Sequence, residues 1–214
     1  MTHSTTARPL FIVFDGMDGT GKTTQMKLLA AHLEAAGIPT VLTAEPTDSE
    51  DGRRLRRALG GKEAASNSRL AALFLLDRIG HNEEISQHLA GGKTVLCDRY
   101  YYSSMAYQGG GDAFDWVADM NLRCPDVRHP DGCIVLDMDP HVSMARIRAG
   151  RDADALEIYE TVEKQQKIRE RFSITLARVA DEDLVVTVDA DGTPDEVAAR
   201  VREAYARIAD AARS

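Results

Sequence analysis

The eight residues from Gly16 to Thr23 constrain this chain more than any other segment. They read Gly-Met-Asp-Gly-Thr-Gly-Lys-Thr, which matches the pattern G-x-x-x-x-G-K-[ST], and they follow a short apolar run, Leu10–Phe14. A helical pattern begins at Lys22, so the strand, loop and helix that the motif requires come in order. Glycines let backbone N–H groups turn inward around a triphosphate, and a helix N-terminus adds a favourable dipole. We call residues 16–23 the phosphate loop and predict that they bind a nucleoside triphosphate.

The side chains at the end of the phosphate loop have separate predicted roles. Lys22 would reach the β- and γ-phosphates, and the Thr23 hydroxyl would ligate Mg²⁺. Asp98 is a second candidate metal ligand, because it follows the apolar run Thr94–Cys97 and open α/β sheets place ligands at the carboxyl ends of strands. The predicted nucleotide-binding residues are Gly16, Met17, Asp18, Gly19, Thr20, Gly21, Lys22, Thr23 and Thr24.

Short apolar runs alternate with longer amphipathic stretches along the whole chain. The runs are rich in Val, Ile and Leu, as buried strands are. They occupy Leu10–Phe14, Thr40–Thr43, Thr94–Cys97, Cys133–Leu136 and Leu184–Val188. Helical stretches between them include Lys22–Ala36, Ser68–Ala90 and Leu156–Ala180, and Thr193–Glu196 predicts a capping box for a last helix. This alternation predicts an α/β fold of three layers, in which helices cover both faces of a parallel sheet.

The composition limits the classes of function. Of the 214 residues, 43% are apolar and 28% are charged, which is typical of a globular chain and not of a disordered one. The formal net charge of −8 provides no overall basic field for nucleic acid or an anionic membrane. No apolar run approaches the roughly 18 residues of a membrane span. We therefore expect no nucleic-acid partner and no membrane insertion.

The cysteines and the N-terminus indicate where the protein works. Three cysteines without metal-ligand spacing do not form a disulfide framework, so reduced thiols in the cytoplasm are expected. Residues 1–9 are polar and lack the apolar region of a signal peptide. We predict a flexible tail at residues 1–9 and a single domain at residues 10–214.

Four further segments stand out beside the phosphate loop. They are Glu45-Pro46-Thr47, the run Leu73–Arg78 followed by His81, Asp98-Arg99-Tyr100, and Ser103–Gly109. Together with the phosphate loop these segments resemble the thymidylate kinase family, in its bacterial and archaeal style. The resemblance implies the P-loop NTPase fold with a five-stranded parallel sheet. It also implies Mg²⁺-dependent transfer of the ATP γ-phosphoryl group to dTMP, and a homodimer.

The resemblance assigns substrate contacts to five residues of these segments. Phe74 would stack on thymine, Arg78 would bind the acceptor phosphate, and the base and sugar would contact Ser104, Tyr107 and Gln108. Phe74 and Arg78 are four residues apart on a predicted helix, hence on one face. Without the resemblance, Phe74 is read as a core residue and Arg78 as a solvated partner of its acidic neighbour.

Several side chains of these segments keep a structural alternative. His81 fits the family pattern but receives no mechanistic role, and Tyr100–Tyr102 are expected to pack in the interior. Tyr107 would favour a deoxy sugar by its bulk.

Three charged residues are expected near the transferred phosphoryl group. Asp18 matches a family acid close to the acceptor's 3′-hydroxyl and the metal, and Arg99 would neutralise phosphate oxygens. Arg56 matches a position on a helix that flanks the acceptor phosphate. The alternatives are a turn-forming aspartate, an arginine after a helix cap, and a solvated basic face. Ala44 stands where the family usually has arginine, which removes one expected phosphate contact.

The charged stretch Arg146–Glu157 predicts a surface loop or lid. One subclass of the family carries a catalytic arginine in the phosphate loop, where this chain has Gly19. The other subclass supplies it from the lid, so Arg148 and Arg151 are the predicted lid arginines, acting with Lys22, Asp18 and Arg99 in catalysis. The alternative for this stretch is a solvated charged loop.

Two other functions stay open on the sequence alone. One is a related nucleoside monophosphate or deoxynucleoside kinase with a different acceptor. The other is a non-catalytic nucleotide-binding paralogue on the same scaffold. If the protein is a dTMP kinase, as the resemblance implies, ATP is the phosphoryl donor, Mg²⁺ is the cofactor, and dTMP is the second small-molecule partner.

Overall fold

A parallel sheet runs through the centre of the protein. The structure is a computed structural model that describes residues 8–150 and 161–213. Within those residues the sheet has five strands in the order β2-β3-β1-β4-β5. The strands are β1 (Phe11–Asp15), β2 (Thr40–Ala44), β3 (Thr94–Asp98), β4 (Gly132–Asp137) and β5 (Val185–Asp189). All neighbouring pairs are parallel, as predicted.

Helices cover both faces of this sheet. They are α1 (Lys22–Ala35), α2 (Glu50–Leu59), α3 (Asn67–Ala90), α4 (Tyr101–Gln108), α5 (Phe114–Leu122), α6 (Pro140–Gly150), α7 (Val162–Val179) and α8 (Pro194–Ala211). Side chains of α1 and α8, such as Leu29 and Val201, fill the core on one face. Side chains of α3, α4, α5 and α7, such as Ile85 and Phe172, fill the core on the other face. This confirms the predicted three-layer α/β fold.

The central strand β1 shows why its sequence is apolar throughout. Every residue of β1 is buried. Phe11 and Val13 belong to the core on one face, whereas Ile12 and Phe14 belong to the core on the other. Because successive side chains of a strand point to opposite faces, a strand covered on both sides needs an uninterrupted apolar run.

Helices α8 and α3 begin at or within one residue of their predicted starts. The capping box before α8 is confirmed. The Thr193 hydroxyl accepts a hydrogen bond from the backbone N–H of Glu196, and the Glu196 carboxylate accepts one from the backbone N–H of Thr193. Helix α3 begins at Asn67, with the Ser66 side chain as its cap.

Among the described helices, none has the length and apolar composition to cross a membrane.

The predicted loop conformation is wrong over the first residues of the stretch Arg146–Glu157. Arg146–Gly150 form the last turns of α6 rather than a loop. Buried Ser143, Met144 and Ile147 recur at a helical spacing of three and four residues, which packs α6 against the protein. Arg151 and the rest of the predicted lid, as well as the tail up to residue 7, lie outside the described residues.

The first turn of α4 is held by a buried carboxylate. Asp183 Oδ2 accepts hydrogen bonds from the hydroxyls of Tyr101 and Tyr102, at 2.6 and 2.8 Å. Asp183 Oδ1 lies 2.7 Å from Nδ1 of His129, whose side chain is 39% exposed. Burial alone would lower the pKa of His129, but the hydrogen bond and charge of Asp183 outweigh it and raise that pKa.

This ion pair makes stability depend on pH. A histidine whose pKa is raised by folding contributes stability that is complete below its unfolded pKa and is lost as pH rises through the folded pKa. We expect the wild-type melting temperature to fall as the pH rises from the ordinary pKa of histidine, 6.5, through the raised pKa of His129, and the His129→Gln variant to lose that part of the slope. The measurement is thermal denaturation across pH. As a control, exposed His32→Gln on α1 should keep the wild-type slope; equal slopes in wild type and His129→Gln would contradict the assignment.

Candidate nucleotide-binding site

The phosphate loop turns sharply between β1 and α1. Gly16, Gly19 and Gly21 have φ of 129°, 75° and 91°, values that side chains rarely adopt. A Cβ at Gly16 would lie 2.4 Å from the Leu136 carbonyl oxygen, so the loop also needs glycine for its close approach to β4. Helix α1 begins at Lys22, so the last two residues of the phosphate loop form the start of its first turn. The loop backbone is thereby wrapped around the N-terminus of a helix, as an anion site requires.

Lys22 points back into this loop. Its Nζ donates to the carbonyl oxygens of Gly16 and Met17, at 3.1 and 2.8 Å. Burial, followed by the positive charge of Arg99, lowers the pKa of Lys22. Two loop carbonyls thus hold the ammonium inside the ring of loop residues.

Asp98 at the end of β3 faces the first turn of α1. The Thr23 hydroxyl donates to Asp98 Oδ2 at 2.8 Å. Asp98 Oδ1 is buried and has no hydrogen-bond partner within residues 8–150 and 161–213. An unused carboxylate oxygen beside a hydroxyl suits a hard divalent cation such as Mg²⁺, which binds a few protein oxygens and completes its shell with phosphate and water. The two predicted metal ligands therefore fit such an ion.

Asp18 joins several elements at the tip of the phosphate loop. Its carboxylate accepts from Arg99 Nη2, from the Tyr107 hydroxyl at 3.0 Å, and from the side chain of Gln165 on α7. Its backbone carbonyl accepts from the Ser143 hydroxyl of α6 at 2.6 Å. Burial would raise the pKa of Asp18, but Arg99, Lys22 and these hydrogen bonds lower it to about 2. Asp18 is therefore ionised at any pH at which the protein works.

Arg99 occupies a strained position between β3 and α4. Its φ of 69° is uncommon for a residue with a side chain. The backbone is held there because the N–H of Arg99 donates to the Phe14 carbonyl oxygen at 2.8 Å. The side chain is held separately, since its guanidinium donates to Ser103 Oγ at 2.8 Å. The guanidinium carbon also lies 5.1 Å from the centre of the Tyr107 ring, within range of a cation–π contact. The chain thus holds this cation beside Asp18.

Asp15 connects the phosphate loop to α4. Its buried carboxylate accepts from the backbone N–H of Gly16 and from both the N–H and the hydroxyl of Ser103, at 2.6 to 3.0 Å. Burial raises the pKa of this carboxyl despite the nearby charge of Arg99. Asp15 is thus a structural anchor between the loop and the first turn of α4.

Two cavities meet at these residues. One, of about 350 Å³, has two aromatic rings in its wall, and we call it the aromatic cavity; its lining residues are Asp18, Pro46, Arg56, Leu59, Gly60, Phe74, Arg99, Ser103, Tyr107 and Gln108. The other, of about 540 Å³, lies over the phosphate loop and Asp98, and we call it the loop cavity. Asp18, Pro46, Arg56 and Arg99 line both cavities. The two spaces are therefore arranged end to end, with charged side chains at their junction.

Most predicted nucleotide-binding residues lie along the loop cavity. Asp18, Gly19, Gly21, Lys22, Thr23 and Thr24 line it. Gly16, Met17 and Thr20 form the inner side of the turn, where the Thr20 hydroxyl donates to the Met17 carbonyl at 3.0 Å. Ala44 also lines this cavity, so the wall has a small apolar side chain at the position where the family usually has arginine.

The predicted acceptor-side residues divide into two groups. Asp18, Arg56, Phe74, Arg99, Tyr107 and Gln108 line the aromatic cavity. Ser104 and Arg78 are fully buried behind its wall and, among the described residues, are not part of the lining. Phe74 is also a core residue, since it packs with Leu55 and Leu70.

Arg78 already has partners for its charge. Its Nε and Nη2 donate to Glu45 Oε2 at 2.9 and 2.6 Å, Nη2 also donates to Ser104 Oγ at 3.2 Å, and Nη1 donates to Asn121 Oδ1. A buried arginine in this position needs such partners, because an unpaired charge in the interior is costly. The structure thus gives Arg78 an internal ion pair, and direct binding of a phosphate by Arg78 stays a prediction.

Two further predicted arginines differ in their surroundings. Arg56 on α2 is 46% exposed and donates to the carbonyls of Pro46 and Thr47 at 2.6 and 2.7 Å. Arg148 lies on the exposed side of α6 and, within the described part of the chain, lines neither cavity. Its neighbour Arg146 lines the loop cavity, with contacts of 3.3 to 3.4 Å to the carbonyls of Gly192 and Ala190.

Sequence reasoning missed several contributors to this site. Leu59, Gly60 and Ser103 line the aromatic cavity, and Gln165 and Asn121 hold charged residues of the site. Ser103 stood in a noted segment, so its motif could have indicated it. Gln165 and Asn121 carry no local signal, because their positions depend on how α7 and α5 pack.

The fold and site define the class of protein. A strand, a glycine-rich loop, an inward lysine and a Thr–Asp pair beside a second ligand-sized cavity are features of P-loop enzymes that act on two nucleotides.

Comparison with known sequences identifies the family. Residues 14–201 match the family model described as thymidylate kinase. The chain is 40% identical over 172 residues to the probable thymidylate kinase of Pyrococcus horikoshii, covering 77% of this chain and 82% of that protein. It is 33% identical over 202 residues to the thymidylate kinase of Leptospira borgpetersenii, covering 94% and 95%. It is 36% identical over 198 residues to that of Symbiobacterium thermophilum, covering 90% and 91%. The chain belongs to the thymidylate kinase family, as its motifs predicted.

The structure explains why Gly19 cannot carry the arginine of the other subclass. A Cβ at Gly19 would lie 2.6 Å from the Ser143 carbonyl oxygen of α6, whereas a Cβ at Gly21 would meet open space. Both positions have positive φ, so alanine at either costs roughly 1–2 kcal/mol in strain. We expect Gly19→Ala to lower the melting temperature clearly more than Gly21→Ala, measured without nucleotide. Equal losses in the two variants would show that α6 does not press on the loop.

Proposed function

We propose that this protein is a dTMP kinase, which transfers the γ-phosphoryl group of ATP to dTMP and releases ADP and dTDP. The observation that carries the proposal is the end-to-end arrangement of the aromatic and loop cavities, with Arg56, Arg99 and Asp18 lining both. Phosphoryl transfer needs an acceptor and a triphosphate held in line, and it needs their charges neutralised. This junction of the two cavities provides both.

The loop cavity suits the donor. Backbone N–H groups at the start of α1 and the Lys22 ammonium would hold the β- and γ-phosphates of ATP. Thr23 and Asp98 would hold Mg²⁺ with oxygen ligands, and the ion, when bound, offsets negative charge on the phosphates. A nucleotide would displace the Lys22 ammonium from the two loop carbonyls that it now contacts.

The aromatic cavity suits a nucleoside monophosphate. Phe74 offers a ring face for the base, and Tyr107 and Gln108 offer polar groups for base and sugar. At the junction, Arg56 and Arg99 would face the acceptor's phosphate. The second pKa of a phosphate monoester is about 6, so the attacking oxygen is already anionic near neutral pH and needs no strong general base.

The cations of the site are local exceptions in an acidic chain. The formal net charge is −8, yet Lys22, Arg56, Arg99 and Arg146 all line the loop cavity. They would offset the repulsion between two polyanionic nucleotides. Arg148 and Arg151 complete the proposal as the lid arginines that stabilise the transferred group.

The decisive experiment is a panel of acceptors. ADP release is measured with ATP and each of dTMP, dUMP, dCMP, dGMP and thymidine, with and without Mg²⁺. We expect dTMP to give the highest kcat/KM, turnover to require Mg²⁺, and Lys22→Ala to lower turnover by orders of magnitude while the protein stays folded. Preference for dCMP, dGMP or thymidine would identify a related kinase, and no turnover with any acceptor would identify a binding protein.

We also propose that the protein is a homodimer in the cytoplasm. Ala72, Leu76 and Gly80 share the exposed side of α3 at four-residue spacing, and Trp116 is exposed on neighbouring α5. A stripe of small and apolar side chains on long helices suits packing against a second copy. The free thiols of Cys97, Cys124 and Cys133 suit a reducing compartment.

Light scattering after sizing chromatography tests the dimer. We expect the wild type to elute as a dimer and Leu76→Asp as a monomer, because a carboxylate at the centre of the stripe opposes burial. Leu76 is 48% exposed, so the change removes little of the core. Ile174→Asp on α7, where the native side chain is 55% exposed, is the matched control and should remain dimeric. A monomeric wild type would overturn this part of the proposal.

A further inference from the structure

His81 on α3 is a buried histidine outside both cavities. Only 2% of the residue is exposed. Its Nδ1 lies 3.1 Å from Glu45 Oε1, and its Nε2 lies 2.7 Å from the Thr43 hydroxyl. A carboxylate can only accept, so Nδ1 carries the hydrogen toward Glu45, while Nε2 shares a hydrogen bond with the Thr43 hydroxyl. The ring therefore bridges the end of β2 and the residue that follows it.

The second oxygen of the same carboxylate holds Arg78. Glu45 Oε2 accepts from both Nε and Nη2 of Arg78, and the two side chains are 1% and 0% exposed. The backbone N–H of Glu45 donates to the Asp98 carbonyl at 3.0 Å. Glu45 thus connects the end of β3, where the metal ligand stands, with a charged group on α3.

Arg78 lies directly behind the wall of the aromatic cavity. It follows Phe74 by one helical turn, and its Nη2 reaches Ser104, which is next to the lining residue Ser103. Its guanidinium carbon lies 4.9 Å from the centre of the buried Tyr100 ring. A shift of Arg78 would therefore be transmitted to both α3 and α4, two of the helices that line this cavity.

The geometry of the carboxylate explains what His81 adds. Both bonds from Arg78 fall on one oxygen of Glu45, and the terminal torsion of a glutamate is broad and weakly restrained. A hydrogen bond to the other oxygen removes that rotational freedom. With Oε1 held by His81, Oε2 stays on the guanidinium, and the guanidinium stays on Ser104.

We propose that His81 is a positioning residue for the acceptor side of the site: it orients the Glu45 carboxylate, and through it Arg78 and the wall of the aromatic cavity. The identity of the acceptor rests on the proposed function above. If His81 only filled the core, its replacement would have a different kinetic effect. Loss of such a residue lowers the fraction of folded enzyme, which reduces the apparent kcat and leaves KM unchanged.

The test compares KM and kcat in matched variants. His81→Leu removes both hydrogen bonds, and we expect the KM for dTMP to rise about tenfold, the size of one charge-assisted hydrogen bond. The kcat and the KM for ATP should stay within about twofold, because the lost interaction concerns acceptor binding. His81→Asn should restore most of the affinity, since its amide nitrogen can take the place of Nδ1 toward Glu45.

Two further variants keep the test independent of folding. Thr43 is half-buried, and Thr43→Val removes only the hydrogen bond between its hydroxyl and Nε2 of His81. We expect the KM for dTMP to rise about twofold to threefold. Ile85→Ala, one turn further along α3 and fully buried, destabilises the same helix without touching Glu45. Its kinetic constants should match those of the wild type, and its melting temperature should be lower.

Distinct results would overturn the inference. An unchanged KM in His81→Leu, no recovery in His81→Asn, or the same rise in KM in Ile85→Ala would each show that His81 is only structural. If His81→Leu does not fold, the KM values for dTMP of His81→Asn and Thr43→Val decide instead. A wild-type KM in both of these variants overturns the inference. Failure of the proposed function is seen separately, in the wild type. If the wild type prefers another monophosphate, the same ratios are measured with that acceptor.

Discussion

The contact between Asp18 and Arg99 is the interaction on which the rest of the site depends. Asp18 belongs to the loop after β1, and Arg99 belongs to the turn after β3. Because β1 and β3 are parallel neighbours, their carboxyl ends meet at one edge of the sheet and bring these charges together. Each cavity then receives one wall from this pair, and Tyr107, Ser103 and the N-terminal turn of α4 are organised around it.

Buried charge is tolerated at most positions of the site because the groups concerned have several partners; the carboxylate of Asp98, with one unpartnered oxygen, is the exception among the described residues. Asp15, Asp18 and Glu45 are each held by at least two donors, and Arg78 and Arg99 each contact both a carboxylate and a hydroxyl. In a low-dielectric interior, incomplete networks are costly and complete ones are rigid. Rigidity is what a phosphotransferase needs, since the donor and acceptor must be held in line before transfer. The strained backbone of Arg99 fits the same account, because surrounding contacts fix it at the point of greatest charge.

Sequence reasoning succeeded where the signal was local. The phosphate loop, the five strands and the capping box of α8 depend on residues within a few positions of each other. It failed at the first part of the predicted lid, where charge density suggested a loop although the spacing of Ser143 and Ile147 carried a helix. Motif spacing placed Arg78 on the same helix face as Phe74 but did not give the depth at which that face is buried, and its contact with the acceptor phosphate, which the resemblance implies, stays a prediction. Asn121 and Gln165 carried no signal, because their roles arise only when α5 and α7 pack on the site.

The amino-acid sequence by itself determined the succession of strands and helices along the chain, the phosphate loop and the family. These follow from short-range patterns of polarity, glycine and charge. Only the tertiary structure decided which cations reach the junction of the cavities, that α6 excludes a side chain at Gly19, and that His81 and Glu45 stand behind Arg78. The physical reason is that parallel strands bring together residues far apart in the chain, and burial and hydrogen bonding are properties of that assembly.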